Sequence, residues 1–474
     1  MEATFTAPAV SPIDTRWAQL QSRIQGRVIT PDDQEYNSAR RAWNLAFDQR
    51  PSLIVVVKSA TDVVTAMQYA RQENLGVAVQ STGHGIVRPA DDSLLIVTSN
   101  MKDIRVDALS QTAWVEAGAK WGEVLEKTQV VGLAPLLGSS PDVGVVGYTL
   151  GGGFGWLGRK YGLAADSVRF FELVTAGGQL LRASDTENSG LFWGLRGGGG
   201  SLGVVTGMEI RLYPVTTVYG GNLIYPIESA KDVFARYRDW IASVPDELTS
   251  SVVIMNFPPI PEVPEPLRGG SFVMVRGCYC GPVEQGEALV RDWRAWRTPF
   301  IDDFKAMPFS QVANISNDPV DPMPGLSTGI WLRELSDEAI DILIQYGTTN
   351  NGVSPLVFAE VRHAGGMVAG VNPNANAYGN RDASLLLQMV GLAPTPQAYH
   401  ELKQYTDQIK ARLHPYLTGG VYMNFLEGEE SQQRVRDGYS PEAYRRLMAL
   451  KAKYDPDNRL RSGFNIDVLG PLPD

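Results

Sequence analysis

Two glycine-rich loops carry the residue types that bind phosphate through the main chain. One reads QSTGHG at residues 80–85, and the other reads GSSPDVGVVG at residues 138–147. Successive backbone N–H groups in loops of this kind form a concavity that binds anions. The two loops could therefore hold a dinucleotide pyrophosphate from two sides. The chain contains no GxxxxGK followed by Ser or Thr, so the phosphate loop of NTPases is excluded.

His84 stands between Gly83 and Gly85 in the first loop, and it is one of four histidines in the chain. Glycine on both sides indicates a backbone that turns tightly or approaches a ligand closely. Taken alone, the pattern favours an ordinary turn in which the histidine is incidental. The location of the loop in the fold must decide between a turn and a ligand site.

A third glycine motif, GFGWLG at residues 153–158, has the GxGxxG spacing, and Glu172 follows at a distance near that of a ribose-binding acid. A nicotinamide-binding fingerprint also needs a strand that runs directly into the first glycine and a helix that opens at the loop. Here Gly147 interrupts the preceding segment, and GRKYG follows. The motif therefore does not favour a nicotinamide site.

The first loop follows a predicted strand, helix and strand. The apolar run LIVVVK (53–58) predicts a strand, and the segment 59–76 predicts a helix capped by Ser59 or Thr61 and ended by Gly76. VAVQ (77–80) predicts the second strand. The loop QSTGHG therefore lies at the carboxyl end of a strand, where α/β sheets bind ligands. Further strands are predicted at 94–99, 112–118, 169–178 and 203–215, and a short helix at 121–129.

The pattern changes after Pro214. Alternating runs such as SSVVIMNF, SFVMVRGCYC and PLVFAEVRH are separated by helical segments at 229–244 and 282–296. This arrangement predicts an antiparallel sheet with helices on one side. The proline-rich segment 257–270 is predicted to be a long hairpin loop. A last helix should begin at Ser440, with Pro441 in its first position, and end before DPDN.

Composition excludes several functions. The chain has 474 residues, enough for two or three domains, and a net charge of −10, which argues against a nucleic-acid partner. The start of the chain has no secretory pattern, and no run of 18 apolar residues could span a membrane. We therefore expect a soluble cytoplasmic protein without a membrane partner. The two cysteines, Cys278 and Cys280, are interpreted as strand residues sharing one face rather than as a redox pair, and no metal site is predicted.

A series of ordered motifs resembles the berberine bridge enzyme-like branch of the vanillyl-alcohol oxidase flavoproteins. They are STGHG, WVEAGAKWGEVL, GSSPDVGVVGYTLGGGFGWLGRKYGLAADSV, ELVTAGGQLL, ENSGLFWGLRGGGGSLGVVTGMEIRLYPV, YMNF and YDPDNRLRSGFNI. The resemblance is strong over residues 45–216 and clear over 415–468. It implies an α+β fold, with a two-part PCMH-type FAD-binding domain (1–216 and 426–474). A substrate domain (217–425), built on an antiparallel sheet flanked by helices, is inserted between the parts.

The resemblance also implies a covalently attached FAD. His84 occupies the position of the family's histidine that bonds to the 8α-methyl of the flavin, and a neutral imidazole nitrogen is a suitable nucleophile. Ser140 stands where the family's second anchor, a cysteine, would be, so we predict a monocovalent link through His84. The predicted cofactor-binding residues are Ser81, Thr82, Gly83, His84, Gly85, Gly138, Ser139, Val143, Gly144, Gly147, Gly153, Val205 and Asn465.

Four residues are candidates for catalysis. Tyr422 and Asn424 match the family's Tyr-x-Asn near the flavin, and alternation along a strand would place both on one face. A core tyrosine at a domain junction is the alternative interpretation of Tyr422. Glu360 and Arg362 should also share a strand face, either over the flavin or as a surface ion pair. His363 should point the other way.

The implied reaction is oxidation of a small molecule. A base, Tyr422 or Glu360, would take a proton from an alcohol, amine or phenol, and the adjacent C–H would deliver hydride to the flavin. Val145, at the family position that influences oxygen access, favours dioxygen as acceptor and hydrogen peroxide as product, although Val146 could close the same path. The alternatives are a dehydrogenase with another acceptor, a biosynthetic oxidative cyclase, and a flavin-binding protein without activity. Substrate identity and oligomeric state stay open.

Overall fold

The computed structural model of the protein describes residues 12–348, 354–464 and 466–468. Its first sheet has four strands, β1 (Arg27–Ile29), β2 (Leu53–Val56), β3 (Gly76–Gln80) and β4 (Ser93–Val97), in the order β1-β2-β4-β3. Strands β2, β4 and β3 run parallel, and β1 is antiparallel to β2. Helices α1 (Pro12–Arg23), α2 (Tyr36–Ala39) and α3 (Ala60–Gln72) accompany this sheet. The loop that contains His84 follows the carboxyl end of β3, as predicted.

The boundaries of α3 were predicted correctly at one end. The Ser59 hydroxyl accepts a hydrogen bond from the Asp62 N–H and so caps the helix. The prediction that Gly76 ends the helix is wrong, because the helix stops at Gln72 and Gly76 already belongs to β3. The turn between them is made by Asn74, whose φ of +53° is one that asparagine adopts more readily than most residues.

The second sheet has five antiparallel strands, β5 (Ile104–Asp107), β6 (Thr112–Glu116), β7 (Val168–Val174), β8 (Leu180–Ser184) and β9 (Val204–Arg211), in the order β5-β6-β9-β7-β8. Helices α4 (Trp121–Gln129), α5 (Val145–Leu150), α6 (Gly158–Tyr161) and α7 (Ser189–Leu195) lie in this part of the chain. The motif GFGWLG follows helix α5 rather than a strand, which agrees with the prediction that it is not a nicotinamide-binding fingerprint.

The third sheet has eight antiparallel strands: β10 (Thr217–Pro226), β11 (Leu248–Asn256), β12 (Ser271–Tyr279), β13 (Ile301–Asp302), β14 (Lys305–Pro308), β15 (Gly325–Leu332), β16 (Leu356–His363) and β17 (Leu385–Leu392). The order is β13-β10-β12-β11-β16-β17-β15, and β14 pairs with β10. Helices α8 (Ala230–Ile241), α9 (Val283–Trp296), α10 (Asp337–Gly347), α11 (Met367–Gly370) and α12 (Pro396–Leu413) accompany it. The antiparallel sheet and its helices confirm the prediction for this region.

One face of the third sheet is apolar and packs against helices. Tyr237 of α8, Trp293 of α9 and Leu343 of α10 form one buried cluster with strand residues that include Val252 and Val275. The proline-rich segment 257–270 connects the paired strands β11 and β12, as predicted for a hairpin loop. Cys278 lies in β12 and Cys280 just beyond it, and both are buried, free thiols. Because the helices cover the apolar face of the sheet, the opposite face is the one available for a polar site.

The chain ends with α13 (Gly428–Gln433) and α14 (Pro441–Tyr454). The Ser440 hydroxyl accepts from the Ala443 N–H, so the helix begins as predicted, and Tyr444 and Leu447 are buried. No helix within the described residues has the length and apolar content needed to span a bilayer. No group of three or more His, Cys, Asp or Glu side chains in the described part of the chain could hold a metal ion.

A buried ion pair fastens the segment after α14. The Lys451 ammonium donates to Asp455 Oδ2 at 2.5 Å and to the carbonyl of Ser201 at 3.1 Å. The same Asp455 carboxylate accepts the backbone N–H groups of Arg459 and Leu460. Both charged side chains are at most 1% exposed, so each depends on the other for charge compensation.

We expect Lys451→Ala to lower the free energy of unfolding by about 3–5 kcal/mol, because it leaves the Asp455 carboxylate buried without a counter-charge. Urea denaturation at neutral pH measures the change. Lys453→Ala is the matched control, since Lys453 is exposed on the same helix, and it should change the stability by less than about 0.5 kcal/mol. Equal effects of the two substitutions would contradict the prediction.

Candidate functional site

A cavity of about 490 Å³ lies between the glycine loops and the polar face of the third sheet. Some residues of the segments 81–88, 138–151, 199–205 and 460–464 line one side of it, and side chains from β12, β16 and β17 line the other. Residues 422–427 line it as well. The volume is in the range of cofactor and small-molecule pockets. One cavity therefore joins the two glycine loops to Tyr422, Asn424, Glu360 and Arg362.

The glycine loops present bare backbone to this cavity. Gly83 has a φ of +78°, and a Cβ added there would lie 2.6 Å from the Ala42 side chain, so the turn requires glycine. A Cβ added at Gly85 or Gly147 would meet no atom within 4 Å, which shows that these two residues face open space. Their main chain can therefore approach a ligand closely.

The two loops also touch each other. A Cβ added at Gly144 would lie 3.1 Å from Ser81 Oγ. That hydroxyl is buried and has no hydrogen-bond partner within the described protein. A buried donor without a partner costs free energy unless a ligand or water satisfies it. Bare backbone on both loops and a free hydroxyl between them fit the pyrophosphate of FAD.

Most of the predicted cofactor residues line the cavity. They are Ser81, Thr82, Gly83, His84, Gly85, Gly138, Ser139, Val143, Gly144, Gly147 and Val205. Gly153 does not line it. Its φ is +80°, and an added Cβ would lie 2.5 Å from the Tyr148 ring, so this glycine makes room for a side chain inside the protein. The prediction for Asn465 falls outside the described residues.

His84 is held by an aromatic ring and a carboxylate. Its imidazole stacks on Trp43, with centroids 4.1 Å apart and planes 17° apart. Its Nε2 lies 3.3 Å from Asp142 Oδ2, and Asp142 forms an ion pair with Lys120. Burial lowers the pKa of His84, although Asp142 acts in the opposite direction. The imidazole is therefore neutral at physiological pH, as a nucleophile must be.

Ser140 occupies the position at which the family's cysteine would provide a second anchor. Its side chain lines the cavity, and its Oγ accepts a hydrogen bond from the Asp142 N–H at 3.3 Å. Neither Cys278 nor Cys280 is among the cavity residues. Among the described residues that line the cavity, His84 is therefore the candidate nucleophile, and no thiol is present.

Tyr422 and Asn424 meet at the cavity, but not for the predicted reason. They do not lie on a strand, because Tyr422 caps a short 3-10 helix, Met423–Phe425, that contains Asn424. The Tyr422 oxygen accepts from the Phe154 N–H at 2.8 Å and from Asn424 Nδ2 at 3.1 Å. Asn424 Nδ2 also donates to the Tyr148 carbonyl at 2.9 Å. The predicted alternation is wrong, and the two side chains are joined by a hydrogen bond instead.

The surroundings of Tyr422 have opposing effects on its hydroxyl. The residue is 1% exposed and packs against Trp331, Tyr378 and Phe425. Burial raises its pKa, whereas the two N–H donors and the charge of Arg362 lower it. Because both donors bond to lone pairs of the oxygen, the hydroxyl proton takes no part in these two hydrogen bonds and can be donated to another group. They also stabilise the phenolate that forms when that proton leaves.

Glu360 and Arg362 form a buried pair at the cavity, not a surface ion pair. Arg362 Nε donates to Glu360 Oε2 at 2.8 Å, and Ser251 Oγ donates to Glu360 Oε1 at 2.6 Å. Arg276 Nη1 lies 3.7 Å from the same carboxylate. Burial acts to raise the pKa of Glu360, but Arg362 and Arg276 together lower it. Glu360 therefore remains a carboxylate, with both oxygens already engaged.

The polar contacts continue across the sheet as one row. Arg362 Nη2 donates to Gln388 Oε1 at 2.8 Å, and Gln388 Nε2 donates to Ser327 Oγ at 3.1 Å. The Ser327 N–H then donates to Glu427 Oε2 at 3.2 Å. We call the set Arg276, Ser251, Glu360, Arg362, Gln388, Ser327 and Glu427 the polar row. Its members come from strands β12, β11, β16, β17 and β15 and from the segment after Phe425.

His363 lies outside the polar row, as predicted. Its Nε2 is 2.8 Å from Arg159 Nη1 on the other side of β16. Burial, with a further contribution from Arg159, lowers its pKa to about 3. Of the two valines expected to influence oxygen access, Val146 lines the cavity, whereas Val145 does not.

Glu427 ends the row with an unusual carboxyl group. It is 8% exposed, and burial raises its pKa to about 8. This folded-state value lies above the ordinary one of about 4.3. The stability that the protonated group contributes is therefore fully present below about pH 4.3 and is lost as the pH rises through about 8.

We expect Glu427→Gln to increase the stability relative to the wild type more at pH 9 than at pH 5. The reason is that glutamine carries no charge to bury. The stability difference between variant and wild type should rise by at least about 1.4 kcal/mol, the equivalent of one pKa unit. Guanidinium denaturation at the two pH values measures it. Glu429→Gln, at an exposed neighbour, serves as control, and a shared pH dependence would contradict the prediction.

Several of these residues were missed by the sequence analysis. Trp43, Lys120 and Asp142 around His84 were not predicted, although Lys120 and Asp142 lie inside motifs that carry the family resemblance. Of the polar row, only Glu360 and Arg362 were predicted. Alternation along one strand identifies residues that share a face, but it contains no information about which residues of other strands lie beside them.

Comparison with known proteins agrees with this arrangement. An FAD binding domain family matches residues 51–184, and the family described as berberine and berberine like matches residues 421–467. The (R)-6-hydroxynicotine oxidase of Paenarthrobacter nicotinovorans is 30% identical over 468 residues, covering 94% of this chain and 98% of that protein. A carbohydrate oxidase of Microdochium nivale is 26% identical over 478 residues, covering 91% of each chain.

The fold is also that of a solved oxidase. The crystal structure of 6-hydroxy-D-nicotine oxidase from Arthrobacter nicotinovorans superimposes with a TM-score of 0.80 at 25% identity, covering 94% of this chain and 98% of that one. The match confirms the predicted α+β, PCMH-type fold, and the relatives confirm the predicted FAD-dependent oxidoreductase activity. The protein thus belongs to the berberine bridge enzyme-like family of FAD-linked oxidoreductases.

Proposed function

We propose that the protein is an oxidase in which substrate hydride passes to an FAD held by the glycine loops, and the electrons then pass to dioxygen to give hydrogen peroxide. The observation that carries the proposal is the single cavity that joins the glycine loops to Tyr422 and the polar row. In this assignment residues 1–216 and 426–474 bind FAD, and residues 217–425 bind the substrate. We place the protein in the cytoplasm.

When it is bound, FAD supplies a group that can accept a hydride and later pass the two electrons to an acceptor. It is attached monocovalently, through His84, because the neutral imidazole lines the cavity and Ser140 replaces the second anchor. Ser81 and the main chain of Gly83, Gly85, Gly144 and Gly147 bind its pyrophosphate.

Tyr422 is the base in this proposal, and Glu360 is not. Both oxygens of Glu360 accept hydrogen bonds, and its arginine neighbours lower its pKa, so it takes up a proton poorly. The Tyr422 oxygen is held by two N–H donors that stabilise its phenolate. Asn424 fixes the orientation of the phenol. Glu360 fixes Arg362, whose remaining N–H groups are available to the substrate.

The cavity favours a compact substrate with a flat ring and a polar group. Phe358, Val390 and Phe425 give it apolar walls, and the Arg362 guanidinium lies 5.2 Å from the centre of the Phe425 ring. The relative named for 6-hydroxynicotine supports an amine or phenol of this kind. The carbohydrate oxidase relative supports a sugar hydroxyl as the alternative.

Peroxide release in aerated buffer distinguishes the substrate classes. Hydroxypyridine amines and phenolic alcohols should give peroxide at lower concentrations than mono- or oligosaccharides do. Turnover of saccharides alone would overturn the preference for a ring substrate. If no compound of either class gives peroxide, the substrate proposal as a whole is overturned.

The acceptor has its own experiment. Stopped-flow mixing of the reduced protein with aerated buffer should reoxidise the flavin within the time of one turnover. Slow reoxidation by dioxygen, together with rapid reoxidation by an artificial acceptor such as a quinone, would replace the oxidase proposal with a dehydrogenase.

A further inference from the structure

Asp142 lies between His84 and Lys120. Its Oδ2 is 3.3 Å from His84 Nε2, and its other oxygen forms the ion pair with Lys120 Nζ. The side chains of His84 and Asp142 are 16% and 17% exposed, so water screens their contact weakly. Trp43 covers one face of the imidazole. The ring therefore has a fixed plane and a fixed partner.

A carboxylate beside one ring nitrogen decides the tautomer of a neutral histidine. Asp142 accepts a hydrogen bond and cannot donate one when it is ionised, so the proton of the neutral imidazole lies on Nε2. The lone pair then lies on the opposite ring nitrogen, Nδ1. Lys120 holds the carboxylate in place through the ion pair. The three residues together prepare one nitrogen of His84 for attack on an electrophile.

We propose that Asp142 is a positioning residue for the attachment of FAD: it holds His84 in the tautomer with a nucleophilic Nδ1 and accepts the Nε2 proton as the new bond forms. The inference rests on the proposed covalent link through His84. It adds a role in flavin attachment for Asp142, the aspartate of the segment GSSPDVG. Ser140, at the position of the family's second anchor, has no such role.

The step balances as follows. A C–N bond forms between His84 Nδ1 and the 8α-carbon, and one C–H bond at that carbon and the Nε2–H bond break. Two electrons and two protons are taken up by the flavin ring system. Dioxygen then removes them and is reduced to hydrogen peroxide.

The test is a time course of covalent attachment. Purified Asp142→Asn protein is incubated with excess FAD in aerated buffer, samples are precipitated with acid, and flavin that stays in the pellet is measured. We expect attachment at least tenfold slower than in the wild type, with reversible FAD binding, measured by gel filtration, still present. Asp142→Glu should restore much of the rate, because it restores the charge. Asp92→Asn, the same change at an exposed turn, should match the wild type.

Two outcomes would overturn the inference. One is attachment at the wild-type rate in Asp142→Asn. The other is loss of reversible FAD binding in Asp142→Asn and Asp142→Glu alike, while His84→Ala still binds FAD, which would assign Asp142 to cofactor binding. A wild-type protein without acid-stable flavin would instead refute the covalent link of the proposed function, so the two failures are distinguishable.

Discussion

Replacing His84 with alanine should remove all acid-stable flavin from the protein, while reversible FAD binding by the glycine loops should persist. Alanine has no nitrogen that can form the bond, whereas Gly83, Gly85 and Gly144 keep the backbone that faces the cavity. Acid precipitation measures the change: we expect a yellow wild-type pellet, and a colourless His84→Ala pellet with free FAD in the supernatant.

Ser140→Ala is the matched control, because Ser140 also lines the cavity and lies where a second anchor would be. It should leave the yellow pellet unchanged, since a hydroxyl is a poor nucleophile at neutral pH. A yellow His84→Ala pellet would contradict the assignment of the tether. So would a Ser140→Ala pellet that loses its flavin.

Where local chemistry decides the structure, the sequence was sufficient. Helix α4 has the predicted bounds, and the last helix begins at Pro441 after the predicted Ser440 cap. The loop with His84 lies at the predicted strand end, because a βαβ unit specifies its own geometry. The glycine loops were predicted for a similar reason: positive φ and bare backbone are properties of a single residue.

Where distant residues decide the structure, the sequence was insufficient. The segment after Val421 has the alternation of a strand, yet Asn424 is bound to the Tyr148 carbonyl and Tyr422 to the Phe154 N–H, both on the other part of the chain. Those contacts draw the segment into a 3-10 turn. Their partners are more than two hundred residues away, so no local pattern contains them.

The polar row illustrates the same limit. Gln388 and Ser327 face the cavity because β17 pairs with β16 on one side and with β15 on the other. Glu360 lies opposite Gln388 in that register. The row is therefore a property of strand order, and strand order across an eight-stranded sheet depends on packing of the whole face. The sequence of one strand predicts which of its own residues share a face. It does not predict which residues of other strands lie beside them.

Replacing Tyr422 with phenylalanine should lower kcat by about 10²–10⁴-fold, the usual contribution of a positioned general base. The ring and its packing against Trp331 and Phe425 are retained, and the oxygen that we propose as the acceptor of the substrate proton is lost. The Phe154 N–H and the Asn424 amide also lose their acceptor, at about 1–3 kcal/mol for each buried donor left unsatisfied. The flavin content and the folded fraction must therefore be measured beside the rate of flavin reduction in anaerobic stopped-flow experiments.

Tyr378→Phe provides the control for Tyr422→Phe. Tyr378 is buried, its ring contacts Tyr422 with centroids 6.3 Å apart, and its hydroxyl has no hydrogen-bond partner among the described residues. Removing that hydroxyl deletes an oxygen from the same aromatic cluster without touching the proposed base, so flavin reduction should stay within a few-fold of wild type.

Because burial raises the pKa of Tyr422, wild-type reduction should also accelerate with rising pH, and the Tyr422→Phe variant should lose that acceleration. A Tyr422→Phe protein that retains its flavin and more than a tenth of the wild-type reduction rate would transfer the role of base to another group, with Glu360 the first to be replaced by glutamine.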